Sequence, residues 1–168
     1  VKLSKVFTPH MVLQRGMAVP VWGTAAPGEK VTVEFAGQSQ TATADDKGAW
    51  SVKLDALRAS TEPRTLTIGD KKIDDVLVGD VWIGSGQSNM GMTVRGSADA
   101  EAVTAASKNP RLRLYQLKLK ASPEPLTNAK DLGHLTKWVE AGPDTVPGFS
   151  AVAYHFGAAL QKQLSGDV

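Results

Sequence analysis

From Val1 to about Asp75, apolar residues alternate with polar ones in short runs, and no stretch carries a helical period. Val19-Pro20-Val21-Trp22-Gly23, Lys30-Val31-Thr32-Val33-Glu34-Phe35, Gln40-Thr41-Ala42-Thr43-Ala44, Trp50-Ser51-Val52-Lys53-Leu54 and Thr65-Leu66-Thr67-Ile68 show the alternation or β-branched enrichment of half-buried strands. Ala26-Pro27-Gly28-Glu29 and Asp45-Asp46-Lys47-Gly48 separate them, with the fixed φ of proline and the positive φ open to glycine. Strands at this spacing predict an all-β sandwich, immunoglobulin- or jelly-roll-like, over residues 1–75.

Beyond Asp75 the pattern changes. Val76-Leu77-Val78-Gly79-Asp80-Val81-Trp82-Ile83 reads as one apolar strand, followed by a Gly/Ser-rich turn and an Ala-rich helix from Ala98 to Ser107. Arg111-Leu112-Arg113-Leu114-Tyr115 reads as a second strand, and Phe149 to Leu164 as a helix. Its face of Phe149, Val152, Ala153, Phe156, Leu160 and Leu164 is expected to pack on a sheet. Residues 76–168 thus predict the first part of an α/β domain with a parallel sheet. Two strands and two helices cannot cover both faces of such a sheet or protect its edges, so this half reads as incomplete.

Composition narrows the function classes. The 168 residues are 42% hydrophobic and 21% charged, ordinary globular material. A formal charge of +2 with scattered basic residues predicts no nucleic-acid partner. No apolar run approaches the roughly 20 residues of a membrane-spanning helix. Without cysteine the chain has no disulfide, thiolate metal site or cysteine nucleophile, and the redox compartment stays open. A first residue of Val rather than Met fits either removal of a leader or a trimmed chain, and so says little about the compartment.

The candidate chemistry lies in Ile83-Gly84-Ser85-Gly86-Gln87-Ser88-Asn89-Met90, just past the end of a predicted strand, where open α/β sheets place their ligands. Flanking glycines allow a sharp turn that projects a hydroxyl and turns an N–H toward a developing oxyanion. Local chemistry leaves two readings open, a serine nucleophile or a polar strand-to-helix turn. Two other motifs are disfavoured. A dinucleotide fingerprint would need glycine where Asn89 stands, and the Gly-x-Ser-x-Gly elbow of α/β-hydrolases would need it at Met90.

Gly79-Asp80-Val81-Trp82-Ile83 followed by Ser85-Gly86-Gln87-Ser88-Asn89-Met90 resembles the nucleophile block of the sialate O-acetylesterase family, a branch of the SGNH hydrolases that includes carbohydrate acetylesterases. His10-Met11-Val12-Leu13-Gln14-Arg15, Val21-Trp22-Gly23-Thr24-Ala25 with Pro27-Gly28-Glu29, and Gly48-Ala49-Trp50 resemble that family's N-terminal β-domain. Phe149-Ser150-Ala151-Val152-Ala153-Tyr154-His155-Phe156-Gly157 resembles the helix before its next sheet strand. The resemblance implies a flavodoxin-like SGNH domain after the sandwich, and a secreted or periplasmic enzyme that removes acetyl groups from carbohydrate without a cofactor.

In that scheme Ser88 is the nucleophile and its backbone N–H an oxyanion donor, with Gly86, Gln87 and Asn89 forming the supporting turn. Two further oxyanion donors and the general-base histidine of an Asp-x-x-His block are implied to come from later blocks, so the remainder of the same protein is an expected partner. The isolated chain should then be almost inactive, because a serine without its base loses orders of magnitude in rate. The competing reading is a non-catalytic carbohydrate-binding or scaffold module.

Asp131-Leu132-Gly133-His134 matches Asp-x-x-His in the wrong context, so His134 with Asp131 is a weak candidate base and a solvated loop pair is the plainer reading. His10 is expected to hydrogen-bond near a strand turn, and His155 to be structural. No histidine pair has zinc-site spacing, and no metal is expected. Trp22 and Trp50 read as sandwich core rather than a sugar platform, Trp82 as packing beneath the serine turn, and Trp138 as the tryptophan to consider for substrate contact.

Overall fold

The alternating runs form two sheets that contribute to one core. β1 (Lys2–Leu3), β3 (Val19–Thr24) and β6 (Ala49–Leu54) make a three-stranded antiparallel sheet, with β3 central. The second sheet has five strands in the order β2 (Val12–Gln14), β8 (Lys71–Gly79), β7 (Ser60–Ile68), β4 (Lys30–Phe35) and β5 (Gln38–Thr43). Only the β2–β8 pair in it is parallel. This computed structural model describes residues 1–117, 124 and 137–164.

Strand parity decides what is buried. Val19 and Val21 of β3 point inward with Val31, Val33 and Phe35 of β4, Trp50, Val52 and Leu54 of β6, and Leu66 and Ile68 of β7. Both expected turns form. Gly28 and Gly48 adopt φ of 77° and 79°, and the Asp45 carboxylate accepts from the N–H groups of Lys47 and Ala49 at 2.9 and 2.8 Å.

The second half is smaller. β9 (Asn109–Leu114) pairs antiparallel with β10 (Val139–Ala141). Around them lie a one-turn helix α1 (Ser88–Gly91), α2 (Ala100–Ala105), α3 (Ala151–Gln163) and 3-10 turns at Val94–Gly96 and Val146–Gly148. Val94, Leu114, Ala141, Val146, Ala151 and Tyr154 form a second core.

The two cores meet at Trp138, which is packed into the first. Its backbone N–H donates to Thr8 Oγ1 at 3.2 Å and its indole N–H to the Val6 carbonyl at 3.1 Å, while its ring lies 5.1 Å from that of Tyr115. Beside it the Arg113 guanidinium bonds both oxygens of Asp75 at 2.7 and 3.0 Å and lies 3.4 Å from Glu140.

Three expectations change. Val76–Gly79 complete β8 of the mixed five-stranded sheet rather than opening an α/β sheet, and no strand includes residues 80–87. The strand stops where its ladder does: β2, its parallel neighbour, ends at Gln14 opposite Gly79. The parallel α/β sheet is not found among the described residues, where β9 and β10 run antiparallel. Of the expected face of the last helix, Phe149 packs on the second core but the helix itself turns another side inward. Val152, Phe156 and Leu164 are exposed, while Ala151 and Tyr154 are buried and Ala158 packs beside them. α3 carries two stripes, and the one with small residues is placed against β9: a Cβ on Gly157 would lie 3.2 Å from Leu112 Cδ1, so close approach selects that side.

Candidate active site

The segment leading to Ser88 leaves the sandwich at Gly79 and is tied at once to the end of β2. The Arg15 N–H donates to the Gly79 carbonyl at 2.9 Å, extending the parallel ladder by one bond. The Arg15 guanidinium then grips the Asp80 carboxylate with Nε and Nη2, each at 2.9 Å. Gln14 Oε1 accepts from the Val81 N–H at 2.8 Å, so a side chain replaces the missing strand partner. The Arg15 bonds hold the Asp80 carboxyl below its ordinary range, against partial burial that acts the other way.

Ser88 is exposed and opens α1. As the first helical residue its N–H has no acceptor within the helix. Gln87 stands at the N-cap without a side-chain cap bond, and the Asn89 carbonyl accepts from the Met92 N–H at 3.3 Å. Gly86, expected to supply a sharp turn, is not at positive φ; a Cβ there would lie 3.3 Å from Met90 Cβ, so space rather than torsion favours glycine.

Beyond the turn the chain is anchored to the start of α3. Ser150 Oγ lies 3.3 Å from Met90 Sδ and accepts from the Ala153 N–H as the helix N-cap. The Ala151 N–H donates to the Met92 carbonyl at 2.8 Å, and the Val94 N–H to the Phe149 carbonyl at 3.0 Å.

The two described histidines lie elsewhere. His10 is bonded to Asp75 near the start of β2, in keeping with its expected place by a strand turn. His155 lies exposed on α3 with its ring 5.4 Å from that of Tyr154. Among the described residues no histidine hydrogen-bonds Ser88. His134 and Asp131 lie outside the described residues.

One cluster was not foreseen. His10, Asp75 and Glu140 bring three potential metal-ligand atoms within 4.8 Å of one another. Arg113 already faces both carboxylates, its side chain 3% exposed, and a cation there would meet that buried positive charge. The group is an ion-pair network joining the two halves.

The tryptophans divide differently from expectation. Trp50 is buried as core, but Trp22, on the outward parity of β3, is 42% exposed and meets Phe7 edge-on at 4.9 Å. Trp138, considered for substrate contact, is core. Trp82 does not pack beneath the serine turn: it is 63% exposed, edge-on to Phe156 at 5.3 Å, next to Ile83 at 92%. Gln14, Arg15 and Asp80 had no assigned role in the sequence reading. They lie within its motifs, but a pairing across 65 residues leaves no local signal.

No family model matches the chain. Mouse sialate O-acetylesterase is 30% identical over 177 residues, covering 92% of this chain and 32% of the mouse protein. Human sialate O-acetylesterase is 36% identical over 110 residues, covering 55% of this chain and 20% of that protein. The crystal structure of a carbohydrate acetylesterase from Xanthomonas citri superposes with a TM-score of 0.89 at 31% identity, over 98% of this chain and 38% of that one. The chain therefore spans about a third of the length of the mouse relative. Sequence and structure agree over nearly the whole chain, which belongs, at modest identity, to the sialate O-acetylesterase family.

Proposed function

We propose that the protein containing this chain is a serine esterase of SGNH type that removes O-acetyl groups from carbohydrate, with Ser88 as nucleophile. The observation that carries this reading is the exposed Ser88 at the first position of α1, held between the sandwich and α3, in a chain whose relatives are named acetylesterases. Ser88 Oγ attacks the acetyl carbonyl, and the sugar hydroxyl leaves with the proton that the general base takes from the serine. Water then attacks the acetyl-enzyme to release acetate and restore the hydroxyl. The Ser88 N–H is one oxyanion donor, supported by its lack of an intrahelical acceptor.

The base and the other oxyanion donors are supplied by polypeptide beyond these residues. Support comes from the absence, among the described residues, of a histidine bonded to Ser88. The exposed apolar face of Trp82, Ile83, Val152 and Phe156 also supports it, since such a surface is suited to burial beneath further sheet. A second domain that follows the sandwich and a secreted or periplasmic location belong to the same proposal. No helix among the described residues is long and apolar enough to cross a membrane.

The test is Ser88→Ala in the full-length protein, followed by acetate release from a nitrophenyl acetate and from an acetylated sugar. A fall of about a thousandfold or more is expected. Undiminished hydrolysis would remove the nucleophile assignment and leave a binding or scaffold module as the better account.

A further inference from the structure

We propose that Gln14 and Arg15 are positioning residues for Ser88, acting through Asp80 and the Val81 N–H. The proposal rests on the assignment of Ser88 as nucleophile. Between Gly79 and Ser88 the chain belongs to no strand and has no ladder to fix its course. Its direction is set where it leaves β8, and there two consecutive side chains of another strand's end hold it. The Arg15 fork bonds both oxygens of Asp80, and Gln14 Oε1 takes the Val81 N–H. Gln14 Nε2 also lies 3.5 Å from Asp80 Oδ1 and donates to the Arg15 carbonyl at 3.2 Å, so the two grips reinforce each other.

The second anchor, on α3, lies beyond Ser88 at Met90 and Met92. Ser88 is thus suspended between two fixed points. The first is built by Gln14 and Arg15 at the end of β2, which bond Asp80 and the Val81 N–H. A planar, bidentate charge-assisted pair fixes orientation as well as distance, which a single contact does not. A displacement of about 1 Å at a reacting atom is enough to cost roughly a hundredfold in rate. The sandwich therefore does more than accompany the catalytic half: the end of its edge strand β2 aims the nucleophile.

Kinetics of Asp80→Asn, Arg15→Lys and Gln14→Ala in the full-length protein test this. Asp80→Asn keeps the shape and removes the charge, Arg15→Lys keeps the charge and removes the fork, and Gln14→Ala removes the acceptor for Val81. Each is expected to lower kcat about tenfold or more with KM nearly unchanged, and to slow covalent labelling of Ser88 by a phosphonate ester to a similar degree. Hydrogen exchange in residues 80–90 of Gln14→Ala is expected to quicken while β3, β4 and β6 keep their protection.

A merely structural clamp would lower Tm and the folded fraction but leave kcat per labelled site unchanged, and that result overturns the proposal. Should the Asp80 and Arg15 variants fail to fold, Gln14→Ala decides by the same criterion. Failure of the underlying reading shows separately, as full activity in Ser88→Ala, and the positioning role falls with it.

Discussion

Asp75 joins parts of the chain far apart in sequence, bonded by His10 and Arg113 while its own backbone sits at a φ of 56°. His10 is also left-handed, at 68°, so two non-glycine residues adopt an uncommon conformation at one junction. The Arg113 hydrogen bonds hold the Asp75 carboxyl below its ordinary value; partial burial opposes them and His10 adds to them. A carboxylate whose pKa is lower in the folded state contributes stability that is complete above the unfolded value of about 3.9, and that is lost as pH falls through the folded one. Asp75→Asn, which tolerates the left-handed backbone, should abolish this dependence. Urea midpoints followed from roughly pH 5 down to pH 2 are expected to fall more steeply in the parent than in the variant. Parallel curves would show that the network does not couple to folding. Sequence places His10 by a strand turn correctly, but its partner, 65 residues on, and Arg113, 38 beyond that, are chosen by the docking of the two halves.

At the scale of elements, strand parity and turn chemistry carry most of what is legible. The β4 and β6 runs lie where alternation puts them, and the same alternation puts Trp22 outside once Val19 and Val21 are inside. Assigning Trp22 to the core weighs its size above its parity, and parity prevails. Close approach governs β3 at Gly23, where a Cβ would meet the Lys2 carbonyl at 2.4 Å and the Trp50 ring at 2.8 Å. Gly23→Ala is therefore expected to destabilise the sandwich by about 1–3 kcal/mol, read from denaturant midpoints at unchanged m. A neutral effect would mean that β1 gives way without cost. α3 is legible as a helix, but its Ser150 cap and its orientation are not. Periodicity marks the stripe of Val152, Phe156 and Leu164, whereas close approach to β9 at Gly157 selects the stripe of Ala151, Tyr154 and Ala158.

Across the whole molecule, two cores of unequal size share a junction, and one face of the smaller half carries Trp82, Ile83, Val152 and Phe156 in the open. Exposed apolar side chains of this kind, with Trp82 and Phe156 in contact, favour association. The 168-residue chain on its own is expected to self-associate in sedimentation experiments, and Ile83→Lys with Phe156→Lys to return it to a monomer. If the surface is covered by further polypeptide in the full-length protein, the same pair of substitutions should lower its Tm by several degrees. A monomeric parent chain would argue that this face is tolerated by solvent.

The sequence by itself determined β3 to β6 and the end of β7, the turns at Gly28 and Gly48, the helical nature of α2 and α3, and the motif that carries Ser88. These follow from alternation, backbone torsion and local residue chemistry, which act over a few positions. Only tertiary structure decided that β8 takes Val76–Gly79 into the sandwich, that α3 turns its small residues inward, and that Arg15 and Gln14 hold the segment leading to Ser88. Each of these outcomes depends on which distant surfaces come together, and neither the period of a run nor the spacing of a motif contains that information.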